Sequence, residues 1–250
     1  MSPKPDAAAG AARRRSGPAR RLAAVDWAAV GADLDAHGCA RLPALLDPAE
    51  CAAVAALWDD ASLFRKQVTM ERLRFGAGEY RYFGAPLPAA VQALREAAYP
   101  PLADVANRWQ KALGGRTRYP ESLPAFLRLC HRRGQVKPTP LLLRYGAGGY
   151  NRMHQDLYGQ VAFPLQMTFL LSRPGIDFAG GENLFLEQRP REQSIGTALA
   201  LAQGEAVVFA TSVRPIRGAR GWRRATLRHG VSRIASGLRL TLGVIFHDAG

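Results

Sequence analysis

The sequence predicts an α+β protein, in which an amino-terminal helical support precedes a sandwich or jelly roll of short strands. Three observations lead to this prediction. Apolar residues recur at helical spacing before residue 140, short β-type runs separated by turn residues dominate after residue 141, and the last of these runs alternates between two faces. We therefore divide the chain into a disordered basic arm over residues 1–24, a support over 25–140 and a core over 141–250.

The basic arm is poor in large apolar residues. Its arginines cluster at 13–15 and 20–21, and only Asp6 opposes them. Such a composition predicts disorder. A nucleic-acid-scanning arm and a solvated tail both remain open, and an organellar transit peptide would also be rich in arginine and poor in acids.

The support is predicted to hold several helices. Helical spacing starts at Trp27, a strand is expected over 39–46, and Asp47 with Glu50 forms a capping-box pattern that predicts the start of a helix. Two separate packing helices follow, over 88–98 and 102–113.

A segment over residues 64–83 mixes cations with aromatic residues. Two interpretations are open, base stacking beside phosphate-binding cations and an amphipathic β-hairpin that turns at residues 76–78. The residues concerned are Arg65, Lys66, Arg72, Arg74, Arg81, Phe75, Tyr80, Tyr82 and Phe83.

Six strands are predicted in the core, over 141–145, 163–171, 182–186, 205–211, 225–231 and 238–247. In the last strand one face is apolar, and we expect the amino-terminal helices to cover it. Arg239, Thr241 and Gly243 share the other face, which could line a pocket.

Composition indicates a soluble, cytoplasmic protein without a membrane span or an obligatory protein partner. Apolar residues make up 48% of the chain, and no apolar run approaches the roughly 20 residues that a membrane span needs. Cys39, Cys51 and Cys130 form no metal-binding or disulfide pattern, so buried reduced thiols are expected. The net charge of +14 favours polyanionic partners.

Only one His-x-Asp occurs in the chain, formed by His154 and Asp156. Residues two apart in extended backbone point to the same side, so both side chains could bind one ion. His229 is the best candidate for a third ligand, and His247 is its competitor. Two histidines and a carboxylate form the facial triad that binds Fe(II) and leaves positions open for a cosubstrate and oxygen.

The residues around this pair carry a resemblance. RYGAGGYNRMHQD, GGEN and His229 with Arg239 ten positions later resemble the Fe(II)- and 2-oxoglutarate-dependent dioxygenases, especially the branch that contains the prolyl hydroxylases. HQDLYG, FPLQMTFLLSRPG, EQRPR and RHGVSR are similar to bacterial AlkB-like oxygenases that act on damaged nucleic acid. The resemblance covers about residues 141–250. It implies a double-stranded β-helix (jelly roll), Fe(II), 2-oxoglutarate and O2, with Arg239 and Tyr145 binding the cosubstrate.

The connection between Phe209 and His229 is long and free of acidic residues. Because it leads into His229, we expect it near the open side of the metal, where its arginines would bind phosphates. Tyr80 and Tyr82 would stack a base. The arginines are Arg214, Arg217, Arg220, Arg223, Arg224 and Arg228.

These features predict an oxidoreductase whose substrate and partner is alkylated nucleic acid, which it would demethylate oxidatively. Two alternatives stay open: a prolyl-type protein hydroxylase, and a jelly roll that binds nucleic acid without catalysis.

Overall fold

Two antiparallel sheets form the frame of the protein. The computed structural model describes residues 17–156, 159–219 and 221–250. The strands are β1 (Cys39–Leu42), β2 (Phe64–Thr69), β3 (Gly76–Ala77), β4 (Glu79–Phe83), β5 (Leu141–Tyr145), β6 (Tyr150–His154), β7 (Leu165–Leu170), β8 (Phe178–Gly180), β9 (Asn183–Gln188), β10 (Ile195–Leu199), β11 (Ala206–Ala210), β12 (Val213–Gly218), β13 (Gly221–Val231), β14 (Ile234–Gly237) and β15 (Arg239–Ile245).

The larger sheet has the order β1-β11-β7-β15-β5-β4-β2, and the smaller has the order β10-β9-β13-β6-β3 with β12 paired to β13. Strands β8 and β14 form a separate two-stranded sheet. Buried side chains of both larger sheets, including Tyr145, Phe209 and Phe185, belong to one apolar cluster. β1, β2 and β4 come from the predicted support, so strands from both parts of the chain share one sheet.

Five α-helices are described: α1 (Pro18–Ala23), α2 (Trp27–His37), α3 (Pro48–Ala56), α4 (Ala89–Ala112) and α5 (Leu123–His131). The predicted capping box at α3 is confirmed, since Asp47 Oδ1 accepts from Glu50 N at 2.9 Å and Glu50 Oε2 accepts from Asp47 N at 2.8 Å. Helices pack on the apolar face of β15, as predicted, because Leu240, Leu242 and Val244 join the core cluster that contains the helical side chains.

The prediction of two helices over 88–113 is wrong, because α4 is a single helix of 24 residues that contains Pro100 and Pro101. An interior proline removes a backbone hydrogen bond and destabilises a helix by about 3 kcal/mol or more. Tertiary packing offsets this, since Tyr99 and Leu102 on either side of the prolines are fully buried in the main core.

Disorder was also predicted wrongly for residues 18–23, which form α1. Leu22 is fully buried, and Arg21 donates from Nε to the Leu45 carbonyl at 2.7 Å and pairs with Glu50. An arginine of the basic arm thus serves as a structural anchor. The rest of that predicted arm, residues 1–16, lies outside the described residues.

The three cysteines are free and buried, as predicted. Burial raises the pKa of Cys39 to about 11 and that of Cys51 to about 12, so both thiols stay protonated at neutral pH. Within the described ranges, no helix is both long and apolar enough to cross a lipid bilayer.

Arg95 of α4 fastens the end of the chain to the helical layer. Its buried guanidinium donates to the carbonyls of Ile245 and Phe246, each at 2.9 Å, and to Asp248 at 2.8 Å. Asp248 is also buried and is contacted by the half-exposed His131 at 2.9 Å. The position of β15, and of the side chains on its cavity-facing side, therefore depends on these hydrogen bonds of Arg95.

We expect Arg95→Leu to lower the free energy of unfolding by about 3 kcal/mol, because the variant leaves the buried carboxylate of Asp248 without its guanidinium partner. Urea denaturation measures the change. Arg95→Leu combined with Asp248→Leu should recover part of the loss, since no buried charge is left unpaired. A double variant less stable than the single variant would contradict this account.

Candidate active site

Three side chains with metal-binding atoms meet in the cleft between the two sheets. His229 in β13 lies directly opposite His154 at the end of β6, and Asp156 follows two residues later. The Nε2 atom of His154 is 3.5 Å from Asp156 Oδ1, and that of His229 is 3.2 Å from Asp156 Oδ2. The ligand atoms of the three residues all lie within 4.8 Å of one another.

This arrangement fits a divalent metal ion. Neighbouring ligands on one face of an octahedron lie about 3 Å apart when the bonds to the metal are about 2.1 Å. His154 Nδ1 lies 2.7 Å from the Arg152 carbonyl, to which it can donate, and this contact favours the tautomer with a free lone pair on Nε2. His229 Nδ1 is buried, and none of the residues that the structure describes offers it a hydrogen-bond partner.

The protonation states of His229 and Asp156 also suit a metal. Burial lowers the pKa of His229, which keeps this ring neutral near pH 7. Burial alone would raise the pKa of Asp156, but hydrogen bonds and charge interactions with the two histidines hold it well below the usual range. A neutral imidazole and an ionised carboxylate are the forms that bind metals. Burial alone would lower the pKa of His154, but the hydrogen bond and charge interaction with Asp156 outweigh burial, so the pKa is raised.

Gln166 of β7 contacts the same cluster. Its Nε2 atom donates to Asp156 Oδ2 at 3.0 Å and lies 3.1 Å from His229 Nε2, while its buried Oε1 atom has no hydrogen-bond partner. One amide therefore orients the carboxylate. Its oxygen remains a buried acceptor without a donor among the described residues.

The cluster opens into a cavity of about 430 Å³ between the sheets, within the range of about 300–1,000 Å³ typical of small-molecule sites. Among the described residues that line it, the acidic side chain is Asp156 and the cations are Arg74, Arg152 and Arg239. The predicted pocket face of β15, with Arg239, Thr241 and Gly243, lines this cavity. The charge balance favours anionic ligands.

Arg239 is the most confined of these cations, with 1% of its surface exposed. Its Nη2 atom donates to Asn183 Oδ1 at 3.2 Å, and its buried Nε has no hydrogen-bond partner in the described part of the chain. Burial lowers its pKa to about 10, partly offset by Tyr145 and Glu182, so it stays charged at neutral pH. No described residue places a carboxylate in hydrogen-bond range of Arg239, and a buried cation in this position calls for an anionic ligand.

Two neighbours complete the surroundings of Arg239. The centre of the Tyr145 ring lies 5.8 Å from the Arg239 guanidinium carbon. Tyr145 lines the cavity, and its hydroxyl accepts a hydrogen bond from Asn151 Nδ2 at 3.4 Å. Gly181 has φ +72°, and a Cβ there would lie 2.8 Å from Arg239 Cδ. The GGEN segment is therefore glycine-rich because the chain must turn and pass close to Arg239.

Tyr80 and Tyr82, the two aromatic residues predicted to contact the substrate, do line the cavity. Tyr80 and Tyr82 belong to the predicted hairpin, whose strand pairing is confirmed as β2 with β4. The predicted turn at residues 76–78 is wrong, because residues 76–77 form β3, which pairs with β6 within a longer connection. The two tyrosine rings meet edge to face at 5.4 Å, and Tyr82 is largely buried. Tyr80 thus offers more of its ring to a ligand than Tyr82 does.

Arg214, predicted to bind substrate, is instead a structural residue. Its guanidinium is buried and donates to Glu187 at 2.6 Å and to the carbonyls of Asp35 and Ala36 at 2.6 and 2.8 Å. These partners leave no free edge for a phosphate. Arg214 is therefore removed from the candidate substrate surface.

The other predicted arginines lie on a β-hairpin made of β12 and β13. Arg217, Arg223 and Arg224 are exposed, but they do not line the cavity. Arg224 is five residues from His229 along β13, or about 17 Å of extended chain. The guanidinium carbon of Arg217 lies 4.8 Å from the centre of the Trp222 ring, and Arg223 Nη2 lies 4.0 Å from Glu192 Oε1. Arg220 lies outside the described residues.

Sequence reasoning missed several cavity residues. Gln166 could have been noticed as an amide within the otherwise mainly apolar run 163–171. Asn183 directly follows the glycines of the GGEN segment. Arg152 carries no local signal, since only the strand pairing of β6 brings it to the cavity mouth.

Comparison with known proteins identifies the family. Residues 78–249 match the model of the Oxygenase-NA family, described as "Oxygenase, catalysing oxidative methylation of damaged DNA". The chain belongs to the Oxygenase-NA family. An uncharacterized protein of Mycobacterium tuberculosis is 48% identical over 167 residues, which cover 67% of this chain and 72% of the relative. Membership of the Oxygenase-NA family makes the chain an oxidoreductase and argues against the non-catalytic alternative.

Solved structures confirm the predicted double-stranded β-helix fold. An oxidoreductase of the 2OG-Fe(II) oxygenase family from Burkholderia pseudomallei has a TM-score of 0.54 at 19% identity, with 88% of this chain and 90% of that one covered. A Pseudomonas putida prolyl-4-hydroxylase has a TM-score of 0.52 at 16% identity, with 90% and 100% covered. This Oxygenase-NA member thus has the fold of the 2-oxoglutarate- and Fe(II)-dependent oxygenases.

We expect Gln166→Leu to weaken divalent metal binding by about 10- to 100-fold, the usual effect of losing a group that orients a metal ligand. Calorimetric titration with Co(II) under argon measures this. Gln203→Leu is the matched control, because Gln203 donates to the Leu171 carbonyl outside the cavity. Equal affinities of the Gln166 variant and the unmodified protein would show that this amide does not support the cluster.

Proposed function

We propose that this protein is an Fe(II)- and 2-oxoglutarate-dependent dioxygenase that removes methyl groups from the bases of alkylated nucleic acid. One observation carries the proposal. A single cavity contains the His154, Asp156 and His229 cluster together with Arg239, a buried cation whose Nε lacks a hydrogen-bond partner. A metal and an anionic cosubstrate therefore have complementary sites within one chamber.

In this proposal, His154, Asp156 and His229 hold the iron. Bound iron and 2-oxoglutarate together supply the activation of O2, which oxidises a C–H bond and yields succinate and carbon dioxide. The protein residues supply orientation: Arg152 sets the tautomer of His154 and Gln166 fixes the Asp156 carboxylate. Because Asp156 and His229 are less than a tenth exposed, these two ligands are screened from bulk water, whereas 34% of the His154 side chain is exposed.

Arg239 would bind the distal carboxylate of 2-oxoglutarate, with a hydroxyl contact from Tyr145. A guanidinium can donate two parallel hydrogen bonds to one carboxylate. Asn183 already accepts from Nη2, which orients the guanidinium. Arg239 is therefore preorganised, and its unused donors would be satisfied when the cosubstrate enters.

Several observations support nucleic acid as the substrate. The description of the Oxygenase-NA family names damaged DNA, the net charge is +14, and Arg74 and Arg152 stand exposed at the cavity mouth. Oxidation of an N-methyl group places one oxygen atom of O2 in the methyl C–H bond and the other in succinate. The resulting N-hydroxymethyl group loses formaldehyde, and the base regains its N–H.

Protein hydroxylation is the second candidate. It is favoured by the structural likeness to the Pseudomonas putida prolyl-4-hydroxylase, although at 16% identity this likeness concerns the fold. The same cavity chemistry would serve both reactions. Only the substrate separates them.

Purified protein with Fe(II) and 2-oxoglutarate should release formaldehyde from methylated oligonucleotides. The variant His229→Ala should lose metal binding and succinate formation, because the cluster loses a ligand. His247→Asn is the control. His247 Nδ1 accepts from Phe163 N at 3.2 Å, outside the residues that line the cavity. Hydroxylation of proline-containing peptides without formaldehyde from any oligonucleotide would overturn demethylation in favour of the protein hydroxylase.

Arg239→Ala should weaken 2-oxoglutarate binding by about 2 to 5 kcal/mol, which is about 30-fold or more, since a buried charge-assisted pair is lost. The 2-oxoglutarate dependence of succinate formation measures the effect. Arg233→Ala is the control, because Arg233 stacks on Tyr150 at 4.5 Å and does not line the cavity. If the Arg233 variant needed more 2-oxoglutarate and the Arg239 variant did not, the distal carboxylate of 2-oxoglutarate would be assigned to Arg233 instead.

A further inference from the structure

An exposed tip of mixed chemistry stands at the mouth of the cavity. It consists of residues 72–75, with the sequence Arg-Leu-Arg-Phe, and all four side chains are exposed. Leu73 is 50% exposed and Phe75 is 48% exposed. Arg74 and Phe75 line the cavity mouth beside Arg152. Large apolar side chains that alternate with cations beside a reaction chamber form an interaction surface.

The tip is held rigidly at its base. Phe75 N donates to the Met70 carbonyl at 3.1 Å, and the Phe75 carbonyl accepts from Arg152 N at 2.8 Å. Arg74 has φ +58°, a left-handed conformation that is uncommon for residues other than glycine. These contacts fix where the Phe75 backbone stands.

The chain joins the sheets directly before and after the tip. Met70 is buried in the apolar cluster between the sheets, and β3 pairs with β6 immediately after the tip. A Cβ at Gly76, where φ is +153°, would lie 2.2 Å from the Tyr150 carbonyl. The tip is therefore a short arch that is anchored on both sides, with its apolar residues turned to solvent.

The cations of the tip are largely free to bind a ligand. Glu71, the nearest acidic residue in sequence, accepts a hydrogen bond from Gly78 N at 3.1 Å and so closes the arch. Glu79 pairs with Arg144 at 3.0 Å. The structure records no ion pair for Arg72, Arg74 or Arg152 among the described residues. Phosphates are the ligands that such a set of exposed arginines fits.

The depth of the cluster adds a geometric requirement. Asp156 and His229 line the cavity and are less than a tenth exposed, and 34% of the His154 side chain is exposed. A base within a duplex cannot reach atoms at this depth, so it would have to leave the stack. Its departure leaves a gap in the duplex, and apolar side chains fill such gaps in proteins that unstack DNA.

We infer that Phe75 acts as a wedge that enters a DNA duplex when the methylated base turns into the cavity, while Arg74 and Arg152 bind the flanking phosphates. This inference rests on the proposed function. Leu73 would cover the neighbouring base step. Tyr80, which lies inside the cavity, would contact the extruded base rather than the gap. Phe75 is thus assigned to opening the duplex and to no chemical step.

The test compares one methylated sequence as a single strand and as a duplex, using the full chain. Phe75→Ala should lower kcat/KM for formaldehyde release from the duplex by about 10-fold or more, because unstacking a base requires a few kcal/mol. With the single strand the loss should stay below about 2-fold, because no base pair has to be opened. Phe75→Leu should restore most of the activity on the duplex.

A second readout does not depend on turnover. A duplex with 2-aminopurine beside the methylated base should brighten when the unmodified protein binds, because unstacking relieves quenching, and should stay dark with Phe75→Ala. Ile176→Ala is the matched control. Ile176 is also exposed and apolar but does not line the cavity, so its variant should behave like the unmodified protein.

The outcomes separate the wedge from the proposed function. Formaldehyde from neither strand form with the unmodified protein would overturn the proposed function. Formaldehyde release that Phe75→Ala lowers equally on single strand and duplex, or not at all, would overturn the wedge alone. Activity confined to single strands, without 2-aminopurine brightening in the duplex, would also overturn it and make Phe75 a stacking platform.

Discussion

The register between β6 and β13 is the constraint on which the site depends. It sets His229 directly opposite His154, and opposite residues in an antiparallel pair have Cβ atoms about 5 Å apart. A slip of one residue would turn His229 to the other face of its sheet. The register then shifts between His229 and Val231, so the histidine pair lies at the end of the β6–β13 ladder, next to an irregularity. β13 is held on its other side by six residue pairs with β9, which makes such a slip costly.

The second constraint is the burial of Arg239. A cation without a carboxylate partner is unfavourable in a protein interior. The Arg239 guanidinium nevertheless donates to Asn183, and the backbone of Gly181 passes close to the Arg239 side chain. β15 carries Arg239 on one face and core residues on the other, and Arg95 ties the end of the same strand to α4. The packing of β15 therefore offsets the cost of burying the Arg239 charge, which an anionic ligand would neutralise.

The parts of the site that could be predicted depend on local pattern. The spacing of His154 and Asp156 and the alternation of residues along β15 follow from backbone geometry alone, and both side chain sets do face the cavity. Arg214 could not be assigned this way, because its partners Glu187, Asp35 and Ala36 are 27 or more residues distant. The continuity of α4 through two prolines likewise depends on packing that local propensity does not contain.

The cations around the cavity differ in how they would respond to salt. Exposed charges separated by more than about 8–10 Å are largely screened at physiological ionic strength, whereas buried ones are screened much less. Arg74 and Arg152 stand at the exposed mouth, and Arg239 lies in the interior. Salt should therefore weaken the capture of a polyanion much more than the binding of a small dicarboxylate. Because the two groups of arginines lie at opposite depths of one chamber, the ionic-strength dependences of these two steps can be measured separately on the same protein.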